Sequence, residues 1–181
     1  MSAARWISPT IFSALLTLLQ TENAEALQLS MDYGLRLGDV LKLRVDDLRK
    51  PYWTFKEEKT GKRRRVRLSA THKDICFAIA GKLYVFEHRL DPYKHRTRQA
   101  VYKDIKRLAR ALGYPNISPH SARKIYAVER YKQSGGDLAK VQHLLNHSDP
   151  AITALYCLAD TMTGSRRKKP RAFLAKNQRK S

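Results

Sequence analysis

The sequence predicts an α+β domain that is mainly helical and carries a small antiparallel β-hairpin at one edge. Polar residues that commonly cap helices stand directly before apolar, helix-like stretches, and three of them are followed by proline, which suits the first position of a helix. Two short alternating segments, 52–57 and 64–68, flank a turn at 59–62. Because 43% of the 181 residues are hydrophobic, the chain can bury the core of one domain.

The first part of the chain is predicted to place helices around that hairpin. The predicted segments are a helix from Ser8-Pro9 to about Gln20, a helix from Thr21 to Gly34, a helical stretch at 37–43, a helix near 71–80, and an ambiguous loop with a short strand at 81–96.

The second part of the chain reads as a run of capped helices. The four predicted helices run from Thr97 to Gly113, from Ser118-Pro119 to Gly135-Gly136, from Asp137 to about Asn146, and from Asp149-Pro150 onward. From Ser165 onward the sequence contains many Lys and Arg residues and no Asp or Glu, which predicts a basic tail over 165–181.

The charge balance indicates a polyanionic partner. The chain has 36 Lys and Arg against 16 Asp and Glu, a formal net charge of +20. DNA and RNA are the usual partners of so basic a domain. Charge alone fits a DNA-binding protein and a ribonucleoprotein component equally well.

Location is predicted from what the sequence does not contain. No apolar run is long enough to cross a bilayer, and the apolar segment 11–19 lacks the features of a signal peptide. Cys76 and Cys157 have neither metal-ligand nor disulfide-framework spacing and are expected to be ordinary core thiols. We therefore expect a cytoplasmic protein without membrane contact.

Four segments carry chemically capable residues in a fixed order. They are Tyr33-Gly34-Leu35-Arg36 with the stretch that follows to Leu43, Lys59-Thr60-Gly61-Lys62, Pro119-His120-Ser121-Ala122-Arg123, and Leu144-Leu145-Asn146-His147 with Tyr156 nine positions after His147. Each motif alone is common. In this order and at this spacing, the set resembles the tyrosine recombinase (phage integrase) family over residues 8–160.

The resemblance implies the tyrosine recombinase catalytic fold for residues 1–164 and roles for six residues. By this resemblance, Arg36 and Arg123 clamp the non-bridging oxygens of the scissile phosphate, and Lys59 in the hairpin is the general acid for the leaving 5′-hydroxyl. His120 assists proton transfer, His147 hydrogen-bonds the phosphate, and Tyr156 is the nucleophile.

Elementary chemistry fits these roles. Paired guanidinium donors match the phosphoryl oxygens on which negative charge develops. A tyrosine hydroxyl, with a pKa of about 10, needs cationic neighbours or a base to react near neutral pH. The sequence has neither a phosphate-binding P-loop nor an acidic cluster for magnesium, so we expect a reaction without nucleotide, metal or other cofactor.

Several of these residues have rivals or ordinary structural explanations. Lys56 and Lys62 compete with Lys59 for the role of the hairpin lysine, and Tyr126 and Tyr131 are rejected as nucleophiles because they precede the second histidine. Any of the six, taken singly, is more often a surface or core residue.

Two further expectations concern residues near the motifs. We hypothesise that Asp39, three positions after Arg36, orients that arginine. Asn146 stands where the family often has glycine, and asparagine tolerates the left-handed conformation that this turn requires.

Family members commonly carry a separate DNA-binding domain ahead of the catalytic one, and Met1 lies close to the expected start of the catalytic domain. The chain is therefore expected to be either a fragment or a short recombinase of the fimbrial phase-variation type, with weak and strongly salt-dependent DNA affinity. The resemblance also implies double-stranded DNA as partner, a homo-tetramer in synapsis and no small-molecule substrate. Residues 158–181 are expected either to dock on a neighbouring subunit or to contact DNA as a disordered tail.

Three alternatives stay open at this stage. The first is a type IB topoisomerase-like or telomere-resolving relative with the same chemistry. The second is a non-catalytic DNA-binding protein of the same fold. The third, an RNA-binding protein, explains the charge but not the motifs.

Overall fold

The computed structural model describes residues 7–158. The helices within them are α1 (Pro9–Leu16), α2 (Thr21–Tyr33), α3 (Leu37–Val40), α4 (Val45–Leu48), α5 (Ala70–Ile79), α6 (Arg98–Ala111), α7 (Pro119–Gln133), α8 (Leu138–Leu145) and α9 (Pro150–Cys157). The strands are β1 (Trp53–Lys56), β2 (Arg63–Val66), β3 (Glu87–His88) and β4 (Asp91–His95). The predicted basic tail, 165–181, lies outside the described residues.

The predicted fold class is confirmed: helices dominate, and the hairpin forms where expected. Strand β1 pairs antiparallel with β2, with Trp53 opposite Val66 and Lys56 opposite Arg63. The ambiguous segment 81–96 holds a second antiparallel pair, β3 and β4. Just before this pair, Val85 N–H donates to Leu43 O at 3.0 Å, so the segment also joins the end of the 37–43 stretch.

The helix starts follow the predicted capping chemistry. Thr97 Oγ1 accepts from Ala100 N–H at 3.1 Å, Asp137 Oδ1 from Lys140 N–H at 2.9 Å, and Asp149 Oδ1 from Ala151 N–H at 2.8 Å. Each bond satisfies an amide that the first turn of a helix leaves without an internal partner.

Two boundaries near the start of the chain were wrong. Helix α1 ends at Leu16 rather than near Gln20. After it, Leu18 and Leu19 N–H donate to carbonyls three residues back, so the chain tightens into a turn and Gln20 is extended. Thr21 is the first residue of α2, and Gln20 holds the cap position without a side-chain bond.

Helices α2 and α7 pack against each other and organise the core. The larger apolar cluster includes the fully buried Phe12, Leu27, Phe86 and Ile105. A smaller cluster joins α7, α8 and α9 through Tyr126, Ala127, Val141, Leu145 and Cys157. This second cluster fixes α9 on the rest of the domain. Both cysteines are buried and free, as expected for core thiols.

A partly buried histidine, His72, fastens α5 to α2 through two carboxylates. His72 Nδ1 lies 2.7 Å from Glu25 Oε1, and His72 Nε2 lies 3.0 Å from Asp32 Oδ2. Hydrogen bonds to Asp32 and Glu25 raise the pKa of His72 to about 9 although burial opposes them. Protonated His72 therefore donates to both carboxylates and joins the two helices.

We expect the free energy of unfolding to fall as pH rises from about 6.5 to about 9. The pKa of His72 is higher in the folded protein than its ordinary value. Its contribution to the free energy of unfolding is therefore complete below pH 6.5 and is lost as the pH rises through about 9. The loss is about 2 kcal/mol, less than the full shift implies, because the side chain of Asp32 is 37% exposed. Urea unfolding at both pH values measures it. His72→Gln should flatten this dependence, and the exposed-site control His143→Gln should leave it unchanged.

None of the helices within residues 7–158 is both long and apolar enough to cross a membrane.

Candidate active site

The C-terminal end of α2 brings the first predicted residue into place. Gly34 ends α2 in the left-handed conformation, with φ +62°, and Arg36 follows two residues later as the cap residue of α3. A Cβ atom on Gly34 would lie 2.4 Å from Tyr126 Cδ1. The turn therefore needs glycine both for its backbone angle and for the close approach of α7.

We expect Gly34→Ala to destabilise the domain by roughly 2–4 kcal/mol, because left-handed strain adds to the clash with Tyr126. Gly113→Ala is the matched control. Gly113 also has a positive φ, +80°, but nothing lies within 4 Å of its would-be Cβ, so only the backbone strain remains, roughly 1–2 kcal/mol. Chemical denaturation of both variants measures the difference. Equal losses would show that the approach of Tyr126 does not constrain the turn.

A buried carboxylate, Glu57, holds Arg36 against the hairpin. Glu57 is 1% exposed, and its Oε2 accepts from Arg36 Nη1 at 2.6 Å and from Thr60 Oγ1 at 2.7 Å. Its Oε1 accepts from Arg64 Nη1 at 3.1 Å, while Arg64 Nη2 donates to Tyr33 O at 2.7 Å. Burial would raise the pKa of Glu57, but these hydrogen bonds and the charge of Arg36 hold it below its usual value. Glu57 is therefore an ionised acceptor that fixes both arginines.

Asp39, which we hypothesised to orient Arg36, makes no hydrogen bond to it within residues 7–158; Arg36 donates to Glu57 instead, and its charge acts to lower the pKa of Asp39. Asp39 is 3% exposed and its Oδ1 accepts from the backbone N–H of Glu58 at 2.9 Å. Burial and the nearby Glu57 raise the pKa of Asp39, although the Glu58 N–H bond opposes the rise. Asp39 thus fastens the start of the hairpin turn to α3.

Arg123, the fifth residue of α7, is buried against two backbone carbonyls. It is 4% exposed; its Nη1 donates to Gly34 O, and its Nη2 donates to Leu145 O at 2.5 Å. Burial and the charges of Arg36 and Arg64 lower its pKa to about 10, which still leaves it protonated at neutral pH. Arg123 therefore ties the end of α2 to the end of α8 and keeps other N–H groups for a ligand.

Lys59 and His120 lie at the exposed rim of this cluster. Lys59 is in the hairpin turn, and His120 is the second residue of α7. Although His120 is exposed, partial desolvation of its ring lowers its pKa, and the charges of Lys124, Arg123 and Lys59 add to that effect. A neutral His120 at neutral pH can accept a proton.

His147 follows the left-handed Asn146, whose φ of 52° confirms the predicted turn. His147 is 9% exposed, and its Nδ1 lies 3.0 Å from Thr153 Oγ1. Burial, with the charges of Arg123, Arg36 and Lys59, lowers its pKa to about 4. The imidazole is therefore neutral at physiological pH.

Tyr156, on α9, lies edge-on to His147, with ring centroids 5.4 Å apart and an interplanar angle of 82°. Lys124 Nζ lies 5.5 Å from the centre of the Tyr156 ring. The two rejected tyrosines are placed differently. Tyr126 is 8% exposed and packs on Gly34, and Tyr131 packs beside the small α7–α8–α9 cluster.

The six predicted residues form one connected cluster of charges and rings. The charge of Arg36 lowers the pKa of Arg123, and the charges of Arg123 and Lys59 lower the pKa of both His120 and His147. Tyr156 joins through its ring contact with His147. The charge of Lys59 thus reaches both histidines.

Three residues of this cluster were missed in the sequence: Glu57, Arg64 and Thr153. A signal existed for Glu57, because Trp53, Phe55 and Glu57 alternate and so share one face of the hairpin. A carboxylate on the apolar face of a strand implies a buried cationic partner. Thr153 had a weaker signal: it precedes Tyr156 by three positions, which places both on one face of α9.

Taken together, the fold and the cluster define a helical domain that presents guanidinium groups, neutral imidazoles and a tyrosine at one site. Within residues 7–158, no group of three or more His, Cys, Asp or Glu side chains is arranged to hold a metal ion. Residues 7–162 match the phage integrase family, and the chain belongs to that family. Its members are enzymes that break and rejoin DNA strands.

Curated relatives agree with this assignment. The chain is 29% identical over 134 residues to a probable integrase/recombinase, YoeC, of Bacillus subtilis, covering 72% of this chain and 74% of that protein. It is 30% identical over 138 residues to the tyrosine recombinase XerD of Lacticaseibacillus casei, covering 68% of this chain and 45% of the relative. The chain thus spans less than half the length of this Xer recombinase.

Solved structures share the fold. A lambda integrase dimer bound to a COC′ core site superposes with a TM-score of 0.70 at 17% identity, over 95% of this chain and 52% of that one. The XerA recombinase gives a TM-score of 0.68 at 18% identity, over 92% and 66%.

Proposed function

We propose that this protein is a site-specific DNA recombinase or integrase that cuts and rejoins strands through a covalent 3′-phosphotyrosine at Tyr156. In this proposal residues 1–164 are the catalytic domain and residues 165–181 a basic tail. The observation that carries the proposal is the contact of Tyr156 with neutral His147, beside the buried Arg123 and the Glu57-held Arg36.

In the first half of the proposed reaction, negative charge develops on the phosphoryl oxygens beside the arginine and histidine donors. Arg36 and Arg123 donate to the non-bridging oxygens of the scissile phosphate, and His147 donates a further hydrogen bond. The Tyr156 oxygen attacks phosphorus as its proton passes toward neutral His120. The bond from phosphorus to the 5′-oxygen then breaks, and Lys59 protonates that oxygen. Each well-placed donor contributes a few kcal/mol to the transition state.

The second half reverses these transfers. A 5′-hydroxyl, from the same or another strand, attacks the phosphotyrosine and releases the Tyr156 oxygen. The energy of the broken bond is retained in the phosphotyrosine, so rejoining needs no nucleotide hydrolysis.

Trapping on a nicked suicide DNA, built from the ends of the element that encodes the protein, tests the proposal. We expect a covalent protein–DNA adduct with the natural chain and none with Tyr156→Phe, because the phenyl ring keeps the contact with His147 but lacks the nucleophilic oxygen. Tyr131→Phe, a tyrosine on α7, is the matched control and should form the adduct normally. DNA binding without any adduct would instead fit a non-catalytic relative of the same fold.

The proposed partners are double-stranded DNA and further copies of the chain, four in a synapsis of two sites. The net charge of +20 supports a DNA partner, and the lambda integrase dimer bound to a core site supports binding by more than one copy. We place the protein in the cytoplasm, with the nucleoid.

A further inference from the structure

His147 can donate to a phosphate only if the proton of its neutral ring is on the right nitrogen. A neutral imidazole carries one N–H, either at Nδ1 or at Nε2. Nδ1 is already engaged, 3.0 Å from Thr153 Oγ1, so Nε2 is the nitrogen left for a ligand. A proton on Nδ1 would present the Nε2 lone pair to an anion and repel it.

The surroundings of Thr153 determine which partner donates. Thr153 is 1% exposed, so its hydroxyl has no access to bulk water. Within residues 7–158, the contact with His147 Nδ1 is the only hydrogen bond that this hydroxyl makes. If Nδ1 carried the proton, the hydroxyl would accept it and its own hydrogen would remain buried without an acceptor, at a cost of about 1–3 kcal/mol.

We infer that Thr153 is a positioning residue that donates its hydroxyl hydrogen to His147 Nδ1 and so keeps the ring proton on Nε2. This inference rests on the proposed function, in which Nε2–H binds the scissile phosphate. Setting the proton of a histidine through its second nitrogen is a general device of active sites.

The backbone of His147 is held by hydrogen bonds to Gln142, so the hydroxyl of Thr153 is the group that can determine which ring nitrogen carries the proton. His147 N–H donates to Gln142 O at 3.1 Å, and Gln142 Nε2 donates to His147 O at 3.2 Å. These two bonds fix the position of the His147 backbone relative to α8. Thr153 and Tyr156 lie on the same face of α9, so one helix orients the imidazole and carries the nucleophile.

Two substitutions separate the hydroxyl from the shape of the side chain. Thr153→Val keeps the branched shape and removes the hydroxyl, whereas Thr153→Ser keeps the hydroxyl. The first readout is the protonation of each ring nitrogen of His147 by long-range ¹H–¹⁵N correlation on the ¹⁵N-labelled full chain, assigned from the signals lost in His147→Gln. The second readout is the rate of adduct formation on the suicide DNA.

We expect Nε2–H in the natural chain and in Thr153→Ser, and a shift of proton population toward Nδ1 in Thr153→Val. Adduct formation should fall about 10- to 100-fold in Thr153→Val and be largely restored in Thr153→Ser. Thermal melting of both variants checks that the fold is retained.

Nδ1–H in the natural chain, or an unchanged Nε2–H in Thr153→Val, would overturn the inference. So would loss of adduct in Thr153→Ser as severe as in Thr153→Val, since the hydroxyl would then not be the cause. The NMR readout needs no DNA. If the natural chain forms no adduct, the proposed function fails while the spectra still decide the role of Thr153.

Discussion

Replacing Arg123 with alanine is expected to reduce adduct formation by about 100- to 1,000-fold and also to destabilise the domain by about 2–3 kcal/mol. The two effects have different origins. The loss of rate follows from the proposed function, in which Arg123 donates to the reacting phosphate. The loss of stability follows because the carbonyls of Gly34 and Leu145 lose a buried donor.

Two variants separate these effects. Arg123→Lys keeps the positive charge but replaces the planar fork with a single ammonium, which cannot reach both carbonyls and a phosphate together, so we expect it to lose most of the rate as well. Arg110→Ala, an exposed arginine on α6, removes the same charge away from the cluster and should leave cleavage within about twofold. Rates are compared well below each variant's melting temperature. Arg123→Ala protein that cleaves as fast as Arg110→Ala would exclude Arg123 from the site.

The sequence was sufficient to predict the longer helices because their ends are determined locally, but it missed α4 (Val45–Leu48) and extended α3 past Val40. A cap such as Thr97 or Asp137 satisfies an amide three residues away, and Pro119 and Pro150 fit only at a helix start. The boundary at Leu16 was missed because the turn after α1 depends on where α2 begins, and apolar Leu18 and Leu19 continue the helical pattern past it.

The residues expected to touch a phosphate could be selected by motif order, whereas the residues that hold them left only local signals that do not name their partners. Glu57 is 21 positions from Arg36, and the two meet only once the hairpin lies against the start of α3. Sequence spacing favours Asp39 as the partner of Arg36, because the two are only three positions apart. The structure uses it instead for the amide of Glu58. Sequence spacing cannot decide whether Asp39 or Glu57 binds Arg36, because Glu57 lies on a different element that meets Arg36 only in the folded domain.

Glu57→Ala is expected to destabilise the domain by about 3–5 kcal/mol, because two guanidinium groups lose the buried carboxylate they share. For a domain of this size the melting temperature should fall by roughly 10 °C. Adduct formation should fall as well, since Arg36 is no longer held beside the hairpin that carries Lys59. Scanning calorimetry and the suicide-substrate assay measure the two effects. Glu57→Gln, which keeps an acceptor oxygen but adds an amide donor facing the arginines, should lie between the natural chain and Glu57→Ala.

The neighbouring carboxylate supplies the control that separates burial from charge. Glu58 is adjacent in the chain, but its side chain is 48% exposed and pairs with Lys42 and Arg98 on the surface. Its backbone N–H, which bonds Asp39, is unaffected by truncation of the side chain. Glu58→Ala should therefore cost about 0.5 kcal/mol or less and leave cleavage near normal. If Glu57→Ala and Glu58→Ala lowered the melting temperature equally, the contacts of Glu57 would contribute no more than a surface ion pair, and Arg36 would have to be positioned by other means.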